Sequence, residues 1–276
     1  KQAYLMENVE VSPKLMPYFA PYVCPEDYEG KYIITADISS YSQLPAQAKH
    51  FADRIDFLID HHQDNDLSAK TRLIDTEAAA TAELVFSLIS AMGISLDKEI
   101  ATLLYIGIAT DTGCFKYSNT RAESHRQAAA CIEQGIDLAE VNKTFFSTKR
   151  RARVEMERLA YQNLRFDGEG RIASLVITQE MRAKTGVTED DLDDFSSIPP
   201  QIEGVLVGIT GYEMTDGSTK ISVRTTTDLL NAASLCAVFG GGGHARAAGC
   251  TIHEGTPFEA IDRMVAEAGK VLEGIV

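Results

Sequence analysis

Residues 57–65 read FLIDHHQDN, an apolar run that leads directly into an aspartate and two histidines. Similar runs lie on either side, KYIITAD at 31–37 and KTRLID at 70–75, and short runs rich in Ile and Leu are typical of buried parallel strands. Residues 76–93 have helical spacing. Within 96–113 the stretch LLYIGIA (103–109) is apolar on all sides, which predicts a buried helix that ends at Asp111. This order of strands and helices predicts an α/β domain with a mostly parallel sheet.

Polar side chains stand at the ends of these apolar elements: Asp37, Asp60, His61, His62 and Asp111. In open α/β sheets, binding sites form just outside the carboxyl ends of the strands. Converging carboxylates and imidazoles suit Mn²⁺, Mg²⁺ or Zn²⁺. Each residue alone could be a helix cap, a turn residue or a surface residue. Their combination on one sheet edge predicts a metal site.

The second half of the chain shows a new alternation of elements. Strands are predicted within 170–178, 203–213 and 218–226, and an amphipathic helix closes the sequence at 257–274. A charged helical stretch, 147–163, precedes them. We therefore predict a first domain over 1–146, a connecting helix over 147–165 and a smaller α/β domain over 166–276.

The strongest local signal in this half is a glycine run, Gly240–Gly243, followed by His244 and the segment ARAAG at 245–249. Consecutive backbone N–H groups without side chains can point at one anion, and His244 and Arg246 would add a donor and a charge. The small residues of ARAAG indicate close packing against a neighbouring backbone rather than a flexible loop. Arg224, within a predicted strand, could pair with an acid or bind an anion.

Composition limits the classes of protein. The 276 residues carry 40 acidic and 26 basic side chains, a net charge of -14, which disfavours a duplex-DNA-binding surface. No apolar run is long enough for a membrane span, and residues 1–19 lack the pattern of a secretory signal. The five cysteines are scattered, without a CxxC pair, which favours a reducing compartment and predicts a cytoplasmic protein.

The motifs resemble those of one family. FLIDHHQDN looks like the DHH signature, and ITAD (34–37) looks like the family's second aspartate motif. IATDTGCFKYSNT (108–120) looks like its later aspartate motif, and FGGGGHARAAG (239–249) looks like the DHHA1 domain. The sequence is thus similar to DHH/DHHA1 phosphoesterases, in the branch with nanoRNases (oligoribonucleases) and 3′-phosphoadenosine-5′-phosphate phosphatases. The resemblance implies a larger DHH domain and a smaller DHHA1 domain, both α/β, with the active site in the cleft between them.

The resemblance also implies residue roles. It makes Asp37, His61 and Asp111 ligands of two Mn²⁺ ions, or of Mg²⁺ or another divalent cation, and it puts His62 beside the scissile phosphate as a catalytic residue. Asp60 would orient a histidine. The substrate residues expected in the second domain are Arg224, Gly241, Gly242, Gly243, His244 and Arg246.

The function implied is metal-dependent hydrolysis of short single-stranded RNA or DNA, or of phosphorylated nucleotides, and the acidic surface favours short substrates. The family's opening motif, HxxPDGD, does not occur here, and we expect it to precede Lys1. Its absence leaves a catalytically degenerate nucleotide-binding protein as one alternative. A cyclic-dinucleotide phosphodiesterase is another. An inorganic pyrophosphatase is disfavoured because its second domain carries a Lys/Arg-rich signature rather than GGGGH. Homodimerisation stays open.

Overall fold

The computed structural model describes residues 2–8, 11–25, 28, 30–192 and 194–274. The chain divides into two units, Lys1–Thr148 and Lys149–Val276. The helix Arg151–Gln162, which fills most of the segment predicted to connect the domains, lies in the second unit. No helix among the described residues is long and apolar enough to cross a bilayer. All five cysteines are free thiols.

The first unit is built on a three-stranded parallel sheet, as the apolar runs predict. Its strands, in the order β1-β2-β3, are β1 Ile34–Ala36, β2 Phe57–Asp60 and β3 Thr71–Ile74. Its α-helices are α1 Met16–Phe19, α2 Thr81–Ala91, α3 Lys98–Asp111, α4 Ala122–Glu133 and α5 Leu138–Asn142. The unit also contains 3₁₀ helices at Ala20–Tyr22, Tyr41–Gln43 and Ala46–Arg54 and a π-helix at Lys143–Ser147.

Parallel pairing puts the carboxyl ends of β1 and β2 at the same edge of this sheet, with Ala36 opposite Ile59. Asp37 and Asp60 therefore come together because of the register. The predicted helix at 76–93 begins at Thr81 and is followed by Gly93, whose positive φ of 67° suits a helix C-terminus. The core of α2, α3 and α4 includes Leu104 and Tyr105, which are buried.

The second unit holds a six-stranded mixed sheet in the order β4-β5-β6-β7-β9-β8. The strands are β4 Arg165–Asp167, β5 Ile172–Ile177, β6 Val207–Glu213, β7 Thr219–Thr225, β8 Gly242–Gly243 and β9 Ala247–Ile252. The α-helices are α6 Arg151–Gln162, α7 Gln179–Thr185, α8 Glu189–Leu192, α9 Ala232–Ala237 and α10 Pro257–Glu273. Two 3₁₀ turns lie at Phe195–Ser197 and Pro199–Gln201.

Alternation along β7 separates the two faces of this sheet. Ile221 and Val223 are fully buried in the core that includes Met264 of α10. Lys220, Ser222 and Arg224 alternate with them and therefore lie on the opposite face, where they are exposed or half-buried. Their partners on β9 are Thr251, Gly249 and Ala247. This half of the sheet consequently presents two cations beside small residues.

Candidate active site

The first unit gathers acidic and imidazole groups from three elements. Asp37 follows β1, His61 and His62 follow β2, and Asp111 is the last residue of α3. Nε2 of His61 lies 3.5 Å from Oδ1 of Asp37 and 3.8 Å from Oδ2 of Asp111. The geometry thus brings these four residues together, as their positions at element ends predict.

Asp37 adopts a backbone conformation that non-glycine residues seldom adopt. Its φ is 64°, in the left-handed region, and its N–H donates to the carbonyl of Ile59 at 3.0 Å. The hydroxyl of Thr81, at the start of α2, donates to Oδ1 of Asp37 at 2.7 Å. Strained positions of this kind persist where surrounding bonds hold them, often at functional sites. Asp37 is therefore held by one bond of its backbone and one bond of its carboxylate.

The ring of His61 is oriented by the backbone of a neighbouring loop. Nδ1 of His61 lies 3.1 Å from the carbonyl oxygen of Ala78, so this nitrogen carries the proton in the bond. Nε2 then remains available on the side that faces the two carboxylates. A backbone acceptor that fixes the tautomer in this way is the usual support of a metal-binding histidine.

Asp60 is fully buried and supports the histidines from beneath. Nδ1 of His62 lies 2.7 Å from Oδ1 of Asp60, and the backbone N–H of His61 and the side chain of Asn65 also donate to this carboxylate. Burial opposes the ionisation of Asp60, but these bonds outweigh it and hold its pKa below the usual value. In turn, the bond to Asp60 is the main cause that raises the pKa of His62.

Asp111 is a partly buried carboxylate that lies close to a second carboxylate, that of Asp37. Burial, and then the nearby carboxylate of Asp37, raise the pKa of Asp111 to about 6. Among the described residues no lysine or arginine pairs with either carboxylate. Ligand atoms of Asp37, His61 and His62 lie within 4.8 Å of one another. Carboxylate oxygens and imidazole nitrogens at this spacing fit a divalent cation.

Two supporting residues were not predicted from the sequence. Thr81 bonds to Asp37, and the side-chain amide of Asn119 donates to the carbonyls of Asp111 and Ala79 at 3.1 Å each. Thr81 falls at the start of a helix, where a hydroxyl is usually interpreted as a cap, and Asn119 falls in a turn-like segment. Neither position carries a sequence signal that separates a site residue from a local one.

In the second unit, the cationic side chains differ in their partners. Nη1 of Arg224 donates to Oγ of Ser222 at 2.8 Å and to the carbonyl of Val223 at 3.2 Å. No acidic side chain among the described residues pairs with Arg224. Arg246, by contrast, donates to the exposed carboxylate of Asp228 at 2.7 Å. Of the two arginines predicted to bind an anion, Arg224 is therefore the one without an acidic partner among the described residues.

The prediction that the glycine run offers consecutive free N–H groups is wrong. The N–H of Gly240 donates to the carbonyl of Ala237 and that of Gly241 to the carbonyl of Cys236. The N–H of His244 donates to the carbonyl of Ala247. The run is a turn followed by the short strand β8, which pairs with β9, so most of its donors are used internally. The prediction that ARAAG packs against backbone is confirmed, since Ala247–Ile252 forms β9.

The glycines instead allow their own backbone to pack closely against β9. A Cβ on Gly241 would lie 2.2 Å from the carbonyl oxygen of Gly249, and Gly243 has a φ of 141°. A Cβ on Gly242 would meet nothing within 4 Å. Gly241 and Gly243 are therefore required by the fold, whereas the space above Gly242 is open to a ligand. The imidazole of His244 follows directly and is exposed.

Comparison with known proteins matches both halves of the chain. The DHH family N-terminal domain matches residues 2–108, and the DHHA1 domain matches residues 171–274. A protein named bifunctional oligoribonuclease and PAP phosphatase NrnA from Thermus thermophilus is 33% identical over 70% of this chain and 57% of its own length. A protein named probable bifunctional oligoribonuclease and PAP phosphatase NrnA from Streptococcus mutans is 26% identical over 82% of this chain and 72% of its own.

A solved structure shares the fold. An exopolyphosphatase-related protein from Bacteroides fragilis superposes with a TM-score of 0.76 at 24% identity, over 89% of this chain and 74% of that one. This chain spans a little over half of the length of the Thermus relative. The chain thus joins a DHH family N-terminal domain to a DHHA1 domain.

Proposed function

We propose that this DHH/DHHA1 protein is a metal-dependent phosphoesterase that hydrolyses short oligonucleotides and 3′-phosphoadenosine-5′-phosphate. The observation that carries the proposal is the convergence of Asp37, His61, His62 and Asp111. The names of the Thermus and Streptococcus relatives support the choice of substrates.

The residues proposed to hold the metal are Asp37, His61 and Asp111, and we propose two Mn²⁺ ions as the resident cations. Bound divalent cations would supply positive charge that stabilises the charge developing on the phosphoryl oxygens. His62 acts beside them as a hydrogen-bond donor to the phosphate. Its bond to Asp60, which raises its pKa, keeps a larger fraction of the ring protonated near neutral pH and holds Nε2 toward the site.

The second unit is proposed to bind the substrate. Arg224 and His244 supply donors to a phosphate, and Gly242, which lies between Gly241 and Gly243, leaves open space in which the ligand approaches the backbone closely. Arg246 joins them only when its ion pair with Asp228 opens, because that pair uses its guanidinium. The net charge of -14 disfavours long polyanions and duplex DNA, so the substrates are short. Free thiols at all five cysteines fit a cytoplasmic location.

The test compares hydrolysis of a 5′-phosphorylated diadenylate and of 3′-phosphoadenosine-5′-phosphate by the encoded protein, in Mn²⁺ and in chelator. Asp111→Ala should lower metal content and turnover together, because a site that loses one carboxylate ligand binds metal weakly. Asp53→Asn, an exposed acid on the helix at 46–54, is the matched control and should change neither. Activity that persists in chelator or in Asp111→Ala contradicts the proposal.

A further inference from the structure

Residues 78–81 form a short buried segment that leads into α2 and contacts two of the residues proposed to hold the metal. The carbonyl oxygen of Ala78 lies 3.1 Å from Nδ1 of His61. The hydroxyl of Thr81 donates to Oδ1 of Asp37 at 2.7 Å. The position of this segment therefore decides how the imidazole and the carboxylate are oriented.

The same segment also supports Asp111, through the side chain of Asn119. The amide of Asn119 donates to the carbonyl of Ala79 and to the carbonyl of Asp111, at 3.1 Å each. The end of α3 is thereby joined to residues 78–81. A displacement of the segment would consequently disturb the supports of all three proposed metal ligands together.

The segment is itself held by Glu83, which lies in the first turn of α2. Glu83 is only 2% exposed, and its Oε2 accepts a hydrogen bond from the backbone N–H of Ala79 at 3.2 Å. The side chains of Arg121 and Ser124, at the start of α4, donate to the two oxygens of the same carboxylate. A buried carboxylate is costly unless its oxygens are bonded, and these three donors meet that need. Glu83 thus joins the segment to α4.

We propose that Glu83 is a positioning residue for the metal site, which fixes residues 78–81 and thereby sets the tautomer of His61. The inference rests on the proposed function, because it concerns the metal ligands of that function. The charge of Glu83 is already paired with the guanidinium of Arg121. Glu83 therefore acts through the reach of its side chain to the backbone of the segment, and its negative charge is not what the site requires.

Two substitutions separate reach from charge. Glu83→Gln keeps the length of the side chain. Its amide oxygen can accept from Ala79 and Arg121, and its NH₂ group can donate to the hydroxyl of Ser124. Glu83→Asp keeps the charge but is shorter by one methylene group. The ion pair with Arg121 can then persist, whereas the bond to the N–H of Ala79 is lost.

The first measurement is ¹⁵N NMR of the His61 ring, on the full chain in chelator and mildly alkaline buffer. We expect the proton on Nδ1 in the unaltered protein and in Glu83→Gln, and a mixture with the Nε2–H tautomer in Glu83→Asp. The second measurement is calorimetric titration with Mn²⁺. Glu83→Asp should bind Mn²⁺ about tenfold more weakly, as is typical when the support of a metal ligand is lost, and Glu83→Gln should stay within about threefold.

Val141→Ala is the matched control for a loss of stability alone. Val141 is buried in the core that also contains Leu104 and Tyr105, so its truncation should lower stability in urea and change neither the His61 tautomer nor Mn²⁺ affinity. The inference is overturned if Glu83→Asp keeps either property, if Glu83→Gln loses either, or if Val141→Ala changes either. A protein that binds no Mn²⁺ or hydrolyses no phosphoester would instead refute the proposed function, and the tautomer in chelator would still decide the role of Glu83.

Discussion

The two units gather side chains of opposite charge. The first gathers carboxylates and imidazoles and holds them with hydrogen bonds, and burial together with the nearby Asp37 carboxylate raises the pKa of Asp111 to about 6. The second gathers small residues and unpaired cations on one face of a sheet, with Arg224 and Lys220 four residues apart on β7. The first arrangement is suited to cations and the second to anions. The comparison teaches that metal binding and phosphate binding can be altered separately.

The two regions also differ in what holds them. The cluster of carboxylates and imidazoles in the first unit is held by side chains: Asp60 is fully buried and receives bonds from His62 and Asn65, and Thr81 bonds to Asp37. The glycine run, in contrast, packs closely because it has no side chains, since any Cβ on Gly241 would collide with β9. Substitutions should therefore act through lost charges in the first unit and through added volume in the second.

The largest expected effect is that of Asp37→Asn. The amide can still accept the bond from Thr81, so the fold should be kept, but the charge offered to a metal is lost. Turnover should fall by about a thousandfold or more, as expected when stabilisation of the reacting phosphate is removed. Affinity for 3′-phosphoadenosine-5′-phosphate in chelator should remain. Turnover that is kept, or affinity for the nucleotide that is lost as well, would contradict the separation of metal binding from nucleotide binding.

The next effect is that of His244→Ala, which removes a donor without touching the bonds of its backbone to Ala247. A hydrogen bond to a charged phosphate contributes roughly 1.5–3 kcal/mol, so kcat/KM should fall about ten- to a hundredfold. Steady-state kinetics and metal analysis on the same preparation provide the check. Loss of bound metal, or unchanged turnover, would show that the imidazole has a structural role.

Gly241→Ala and Gly242→Ala distinguish a glycine that the fold requires from one that leaves space for a ligand. A methyl group at Gly241 collides with Gly249 and Cys250, and overpacking of this kind typically costs about 1–3 kcal/mol. The methyl group at Gly242 meets no protein atom, so stability should be unchanged while nucleotide affinity falls. Urea unfolding and calorimetric binding give the two quantities. Equal destabilisation by both substitutions would remove the argument for open space above Gly242.

A smaller effect is expected in the pH dependence of stability. The folded protein lowers the pKa of Asp60, so its carboxylate stabilises the fold above its unfolded pKa of about 3.9, and this contribution is lost as pH falls through the folded value. It raises the pKa of His62, whose contribution is present below about 6.5 and is lost as pH rises through the folded value.

Asp60→Asn should therefore lower the free energy of unfolding by about 1 kcal/mol, mainly between about pH 3.9 and about pH 6.5, where Asp60 is ionised and His62 is protonated. The difference from the unaltered protein should narrow on both the acidic and the alkaline side. Urea unfolding in chelator at a series of pH values measures it. A difference that is the same at every pH would mean that Asp60 contributes through packing alone.

The sequence predicted the first unit well because its signals are local. Apolar runs that end in Asp37 and Asp60, and a buried helix that ends in Asp111, place those residues at one sheet edge once the strands are parallel. Thr81 and Asn119 could not be predicted in the same way. Their contacts with Asp37 and Asp111 depend on how α2 and the turn after α3 pack, and hydroxyls and amides occur in many loops.

The sequence was less informative about the second unit. The glycine run indicated a backbone cradle, but which N–H groups stay free depends on partners such as Cys236 and Ala247, which the run itself does not reveal. The short strand β4 was not predicted, because three residues give too little alternation to recognise. The ion pair between Arg246 and Asp228 likewise follows from the turn rather than from any spacing.

The division between the units is tested most directly by measuring Mn²⁺ and nucleotide binding on Asp111→Ala and His244→Ala. Calorimetric titration with Mn²⁺, and separately with 3′-phosphoadenosine-5′-phosphate in chelator, gives four affinities to compare with the unaltered protein. We expect Asp111→Ala to lose Mn²⁺ affinity and keep the nucleotide, and His244→Ala to keep Mn²⁺ and lose nucleotide affinity. Loss of both ligands in either variant, or the reverse assignment, would contradict the account.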